Sequence, residues 1–239
     1  MIGIYDYTVI LTYLSLMSAG TGIVVSLTGN GHPYWGVFFL LLCGLFDAFD
    51  GRVARMKKNR TQLECNFGIQ IDSLADVIAF GVLPGTIGIA LLRTSPVLSG
   101  KGIFHENFFH VHWSAVVFKI ICYAILILYI LAALIRLAYF NVTEEERQRT
   151  EGGKRKTYTG LPVTSAALIF PSVLLLRYIL PIDISIVYVP VALLTAFLFL
   201  SKMEVPKPGL RGILIMIGVG VLECVALAVF LVLKSKGIV

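Results

Sequence analysis

Charge is what this sequence has least of. Only 14% of its 239 residues are Asp, Glu, Lys or Arg, against about 25% in a water-soluble domain. That shortfall excludes a soluble globular fold and a disordered chain, and it requires a second, apolar solvent. Cysteine is sparse too: Cys43, Cys65, Cys122 and Cys224 lie far apart and form no CxxC pair, so neither a disulfide framework nor a zinc site is suggested. The opening MIGIYDYTVIL has no basic leader and no small-residue cleavage site, so its first apolar run is expected to be kept as a helix. There is no internal repeat and no low-complexity tract.

What the chain has in quantity is hydrophobic residues, 57% of the total, with a mean hydropathy of +0.87. A bilayer span takes roughly 20 apolar residues, which leaves room for several spans and no separate soluble domain. Residues 1–239 therefore read as a single all-α integral membrane domain, a bundle of about seven transmembrane helices. The apolar runs predict helices over Tyr7–Leu27, Tyr34–Met56, Phe67–Leu92, Ser114–Val142, Val163–Leu180, Ser185–Leu200 and Gly212–Leu233. Thr28–Pro33 and Pro181–Asp183 read as tight turns.

The formal charge of +6 and pI near 9.2 report topology and anionic headgroups more readily than nucleic acid. Arg52, Arg55, Lys57, Lys58 and Arg60 follow the second span, Arg147, Arg149, Lys154, Arg155 and Lys156 the fourth, and Lys202, Lys207 and Arg211 the sixth. The alternate connections hold only Arg93 and Lys101. The positive-inside rule then places the N-terminus and the three basic loops in the cytoplasm, in a cell (inner) membrane, with the C-terminus outside if there are seven spans. Lys234 and Lys236 weigh against an odd count. Gly100–His112, with Phe104, Phe108, Phe109 and histidines at 105, 110 and 112, reads more simply as an aromatic interfacial segment than as a metal site.

Four of the six aspartates fall between Phe46 and Val77. Asp47 and Asp50 lie three apart near the end of the second span, Asp72 and Asp76 four apart near the start of the third, so each pair shares one helix face. Because the loop returns the chain on the same side of the membrane, antiparallel packing would converge all four. Carboxylates gathered in a partly dehydrated pocket repel, and a hard divalent cation resolves the repulsion: Mg2+ or Mn2+, with two ions suiting the ligand count better than one. Gly51 and Ala54 leave a nearly bare helix face beside the acids, open to a planar base or a diphosphate. Arg55, a permanent forked cation, suits phosphate.

DAFDGRVAR from Asp47 followed by GIQIDSLAD to Asp76 resembles the DxxDGxxAR…GxxxDxxxD signature of the CDP-alcohol phosphotransferases, integral membrane enzymes of phospholipid synthesis. Twelve residues separate Arg55 from Gly68, a longer loop than the family usually has. IRLAYFNV from Ile135, TGLPV from Thr159 and DSLADVIAFGVLP from Asp72 look like segments of its phosphatidylserine synthase branch, with Tyr139 where a second arginine is common. The resemblance implies CDP-diacylglycerol as donor, L-serine as acceptor, and phosphatidylserine and CMP as products. By the same analogy Asp47, Asp50, Asp72 and Asp76 are metal ligands, with Asp76 also the catalytic base. Gly51, Ala54, Arg55, Thr61 and Gly68 would contact CDP-diacylglycerol, and Arg136 and Asn141 the acceptor. Relatives are commonly homodimers. Other acceptors (glycerol 3-phosphate, an inositol phosphate, choline) remain open. So does a cation transporter, although these acids lie at one surface and only Glu223, inside the last span, suits an ion path.

Overall fold

The computed structural model describes residues 3–28, 33–95, 112–150, 157–179, 183–206 and 209–235. Seven helices dominate it: α1 (Ile10–Leu27), α2 (Pro33–Met56), α3 (Gln62–Thr94), α4 (His112–Thr150), α5 (Ala166–Ile179), α6 (Ile184–Leu200) and α7 (Leu210–Ser235). The sequence pattern contained no strand, yet β1 (Thr157–Thr159) pairs antiparallel with β2 (Glu204–Pro206), Tyr158 opposite Val205. Gly100 to residue 111, Lys154 to Lys156 and most of both tight turns fall outside the described residues.

Helix exposure is the reverse of a soluble bundle's. In α1 the buried positions are Thr12, Ser15, Ser18, Ala19, Gly22 and Ser26, while Met17 and Val24 are 69% and 57% exposed. Small residues inside let backbones approach, and large apolar ones outside face lipid. Ser18 Oγ donates to the Phe39 carbonyl at 3.0 Å and Cys43 Sγ to that of Ser15 at 3.3 Å, linking α1 to α2 without exposing a polar group to hydrocarbon. Among the described residues three helices, Ile10–Leu27, Gln62–Thr94 and Val116–Arg147, are long and apolar enough to cross a bilayer, and Val163–Leu176, Ile184–Leu200 and Leu214–Val229 are shorter apolar helices.

Two helices outrun their predicted limits, each for a local reason. α3 starts at Gln62 rather than Phe67 because Thr61 builds a capping box, its hydroxyl accepting from Glu64 N while the Glu64 carboxylate accepts from Thr61 N. α4 continues eight residues beyond Val142 to Thr150, where Arg147–Glu144 and Arg149–Glu145 pairs, each 2.6 Å, line adjacent turns of a solvated extension. At 1.5 Å per residue its 39 residues span roughly 58 Å, well past a hydrocarbon core of about 30 Å.

α3 changes pitch immediately after Asp76. Val77–Val82 is a π-turn between two α-helical stretches, Gln62–Asp76 and Leu83–Thr94. Pro84 has no N–H to give the carbonyl of Phe80 one turn earlier, and the buried Tyr129 hydroxyl of α4 donates to it instead at 2.5 Å. Tyr188 of α6 likewise donates to the Pro84 carbonyl at 2.7 Å. Phe170 packs between these rings, 5.3 Å from Tyr129 and 4.8 Å from Tyr188 by ring centroid. The core of the bundle is thus fastened to the stretch of α3 that follows the acids.

Candidate active site

The end of α2, a five-residue loop and the start of α3 form a hairpin whose two faces meet. Asp47, Asp50 and Asp72 each bring a carboxylate oxygen within 4.8 Å of the others. Asp50 is buried and the other two are half-buried. Asp76, expected as a fourth ligand, is not part of that set; it lies one helical turn beyond Asp72. The charges acting on it are the three carboxylates and, opposing them, the Arg136 guanidinium of α4. No lysine or arginine among the described residues forms an ion pair with Asp47, Asp50 or Asp72. Hard oxygen donors this close, without a neutralising side chain, are a donor set for Mg2+ or Mn2+.

Both glycines of the hairpin are covered by arginines. A Cβ on Gly51 would lie 3.4 Å from Arg55 Nη1, and one on Gly68 only 2.7 Å from Arg60 Nη2. Guanidinium groups thus stand over both glycines, one of which, Gly51, lies on the face expected to admit a nucleotide. Thr61, expected at the phosphates, is exposed and spends its hydroxyl on the capping box of α3. A longer loop needs a helix stop and start of its own, and Thr61 supplies the start. Ala54 is half-buried and its carbonyl faces Arg60 Nη1 at 3.5 Å.

Arg136 is buried, and its Nε donates to the Leu161 carbonyl at 3.1 Å, with the guanidinium stacked 4.9 Å over the Phe140 ring. The segment it grips is a turn that only glycine can make. Gly160 has φ +75°, and a Cβ there would lie 2.7 Å from the Phe199 carbonyl. Gly160 N donates to the Met203 carbonyl at 2.7 Å and Leu161 N to that of Leu198 at 3.1 Å, which docks the turn onto the end of α6. Asn141 Nδ2 donates to Ser73 Oγ at 2.8 Å, binding α4 to α3 beside Asp72.

A cavity of about 680 Å³ opens from this corner. Asp47, Gly51, Arg52 and Arg55 line its polar end, and Leu41, Leu45, Leu168, Met216, Val221 and Val225 its apolar end between α2, α5 and α7. Arg52, Tyr158, Thr164 and Ser165 also line it. Sequence reasoning missed all four: Arg52 read as a topological charge, and the others come from a ribbon and turn that carry no periodic signal. Glu223 is buried, accepts from Ser172 Oγ, and does not join the aspartates.

Outside the membrane, Lys57 joins Asp6 and Glu64, both at 2.7 Å, tying the segment before α1 to the hairpin. The ammonium holds the Asp6 carboxyl below its usual range, and the two acids push Lys57 up to about 12.

A membrane-embedded helical bundle with a carboxylate triad on a helical hairpin defines a class of metal-dependent transferases. The chain belongs to the CDP-alcohol phosphatidyltransferase family, whose profile matches residues 8–222; its matches to the yeast and Helicobacter relatives span less than half of their length. Among its relatives, the CDP-diacylglycerol–serine O-phosphatidyltransferase of Saccharomyces cerevisiae is 36% identical over 147 residues, 60% of this chain and 43% of the yeast protein. The archaetidylserine synthase of Methanothermobacter thermautotrophicus is 30% identical over 195 residues, 81% of this chain and 68% of that protein. The CDP-diacylglycerol–serine O-phosphatidyltransferase of Helicobacter pylori strain 26695 is 32% identical over 137 residues, 55% of this chain and 44% of that enzyme.

Proposed function

We propose that the protein transfers the phosphatidyl group of CDP-diacylglycerol to the hydroxyl of L-serine, giving phosphatidylserine and CMP. The observation that carries this reading is that Asp47 belongs both to the carboxylate triad and to the lining of a cavity whose far end is apolar. A donor with a diphosphate head and acyl tails needs those two environments joined. The serine enzymes among the relatives support the acceptor, and the archaetidylserine synthase extends the serine product to another lipid backbone.

Asp47, Asp50 and Asp72 would hold the divalent cation, which when bound neutralises charge on the diphosphate. Arg52 and Arg55 at the cavity mouth orient the phosphates, and the apolar wall admits the acyl chains from the bilayer. Asp76 takes the proton from the serine hydroxyl as its oxygen bonds to the diacylglycerol-bearing phosphorus and the CMP oxygen leaves. Free serine carries both charges. Arg136, whose charge is felt at Asp76, offers a cation for its carboxylate, and its grip on Leu161 fixes that cation in place. Asn141 holds the Asp72–Asp76 stretch through Ser73. We infer seven spans with the N-terminus and the hairpin at the cytoplasmic face, which the basic loops support, and a homodimer by resemblance to the family.

The test supplies purified protein with CDP-diacylglycerol, Mn2+ or Mg2+, and serine, glycerol 3-phosphate, inositol phosphate or choline in turn, and measures CMP. Serine-dependent release is expected. Release with another alcohol alone would move the acceptor, and none with any would refute the reading.

A further inference from the structure

We propose that Arg60, in the extended loop between the two aspartate helices, is a positioning residue that sets the spacing of the metal ligands, and that the bare face of Gly68 leaves it room. This deepens the metal site of the proposed function and rests on it.

The guanidinium bridges two helix ends. Nη1 faces the Ala54 carbonyl at 3.5 Å, in the last turn of α2, and Nη2 donates to the Glu64 carbonyl at 3.2 Å, in the first turn of α3. Nε is shielded from solvent without a partner, so those two carbonyls are what hold the group. The last carbonyls of a helix lack intrahelical donors and carry partial negative charge, so a cation there caps α2. One turn before Ala54 stands Asp50, and one turn after Gly68 stands Asp72. Both belong to the triad drawn within 4.8 Å. Carboxylates that repel at that distance need a mechanical restraint, and the clamp lies one turn from each of these two.

Gly68 makes the clamp possible. A Cβ there would lie 2.7 Å from Nη2, and what must yield is the mobile tip of an arginine, not backbone. Gly68→Ala therefore displaces the Arg60 tip that meets the Glu64 carbonyl while leaving α3 a better helix former than before. A purely electrostatic role would show the opposite sign. Removing a cation near carboxylates should tighten Mn2+ binding, whereas removing a clamp should weaken it.

The experiment measures Mn2+ binding alone, by electron paramagnetic resonance on detergent-purified protein, together with thermal unfolding. Arg60→Ala is expected to raise the Kd for Mn2+ about tenfold, as loss of a group that orients metal ligands does. Gly68→Ala should match it without lowering the melting temperature, and the double variant should be no weaker than either single one. Arg60→Lys, able to reach one carbonyl but not fork across both, should fall between. An Arg60→Ala Kd within about twofold of the wild type, tighter binding, or losses that multiply in the double variant would overturn the clamp. If Arg60→Ala fails to fold, Gly68→Ala carries the same test with the arginine present. Wild-type protein that binds no Mn2+ would instead overturn the metal site itself, so the two failures are distinguishable.

Discussion

Neutralising Asp72 should make the metal-free protein more stable and the metal-loaded protein less so. With triad oxygens within 4.8 Å of one another, two unit charges at that distance repel by roughly 3.5 kcal/mol at an effective dielectric of about 20. Asp72→Asn removes two of the three pairwise repulsions. Water at a half-buried site and shared protons take up most of that, leaving an expected gain of about 1–3 kcal/mol. In a chain of this size that is a rise of roughly 2–10 °C in melting temperature. Divalent metal acts in the other direction. At a hundredfold excess over Kd it should stabilise the wild type by about 2.7 kcal/mol, and the variant by much less. The assay is thermal unfolding in detergent with EDTA and with saturating Mn2+, on both proteins. The curves are expected to cross: the variant higher in EDTA, the wild type higher in Mn2+. A variant less stable than wild type in EDTA, with an undiminished gain from Mn2+, would show that the three carboxylates neither strain the apo fold nor hold the ion.

Asp76→Asn should keep Mn2+ binding and lose nearly all CMP release, because Asp76 lies outside the triad yet one helical turn from its member Asp72; near-normal turnover would remove it from the base role. Tyr129→Phe leaves the Phe80 carbonyl buried and short of a donor, so a loss of about 1–3 kcal/mol is expected in thermal unfolding, and an unchanged melting temperature would show that the bond is dispensable. Gly160→Ala forces a left-handed residue and a 2.7 Å clash with the Phe199 carbonyl, costing upwards of about 1 kcal/mol and loosening Leu161 from Arg136; wild-type stability and serine KM would contradict this. The Asp6–Lys57 pair makes the opposite demand on pH at each end: Asp6, held below its usual range, contributes above the unfolded carboxylate pKa and loses that contribution as pH falls through its folded value, whereas Lys57 loses its own only as pH rises through about 12. Limited proteolysis of the N-terminal segment should therefore accelerate on acidification, and in Asp6→Asn at neutral pH. Equal cleavage of both proteins at pH 7 would sever the tether from this account.

Much of this protein is determined by its sequence alone, since hydrocarbon penalises any unsatisfied backbone group and so dictates helices wherever apolar residues run together. The helical runs and the family were legible, and so was the hairpin with its acid pairs: Asp47 and Asp50 share a face whatever surrounds them, as do Asp72 and Asp76. Only the tertiary structure decided which of the four converge, because that depends on how α2 and α3 meet and not on periodicity. It gave Thr61 the part of helix cap and turned Arg60 from loop charge to bridge. It also joined Thr157–Thr159 to Glu204–Pro206, more than forty residues apart. Pairings of that kind are long-range hydrogen bonds and close approaches, and they leave no pattern in a chain read one segment at a time.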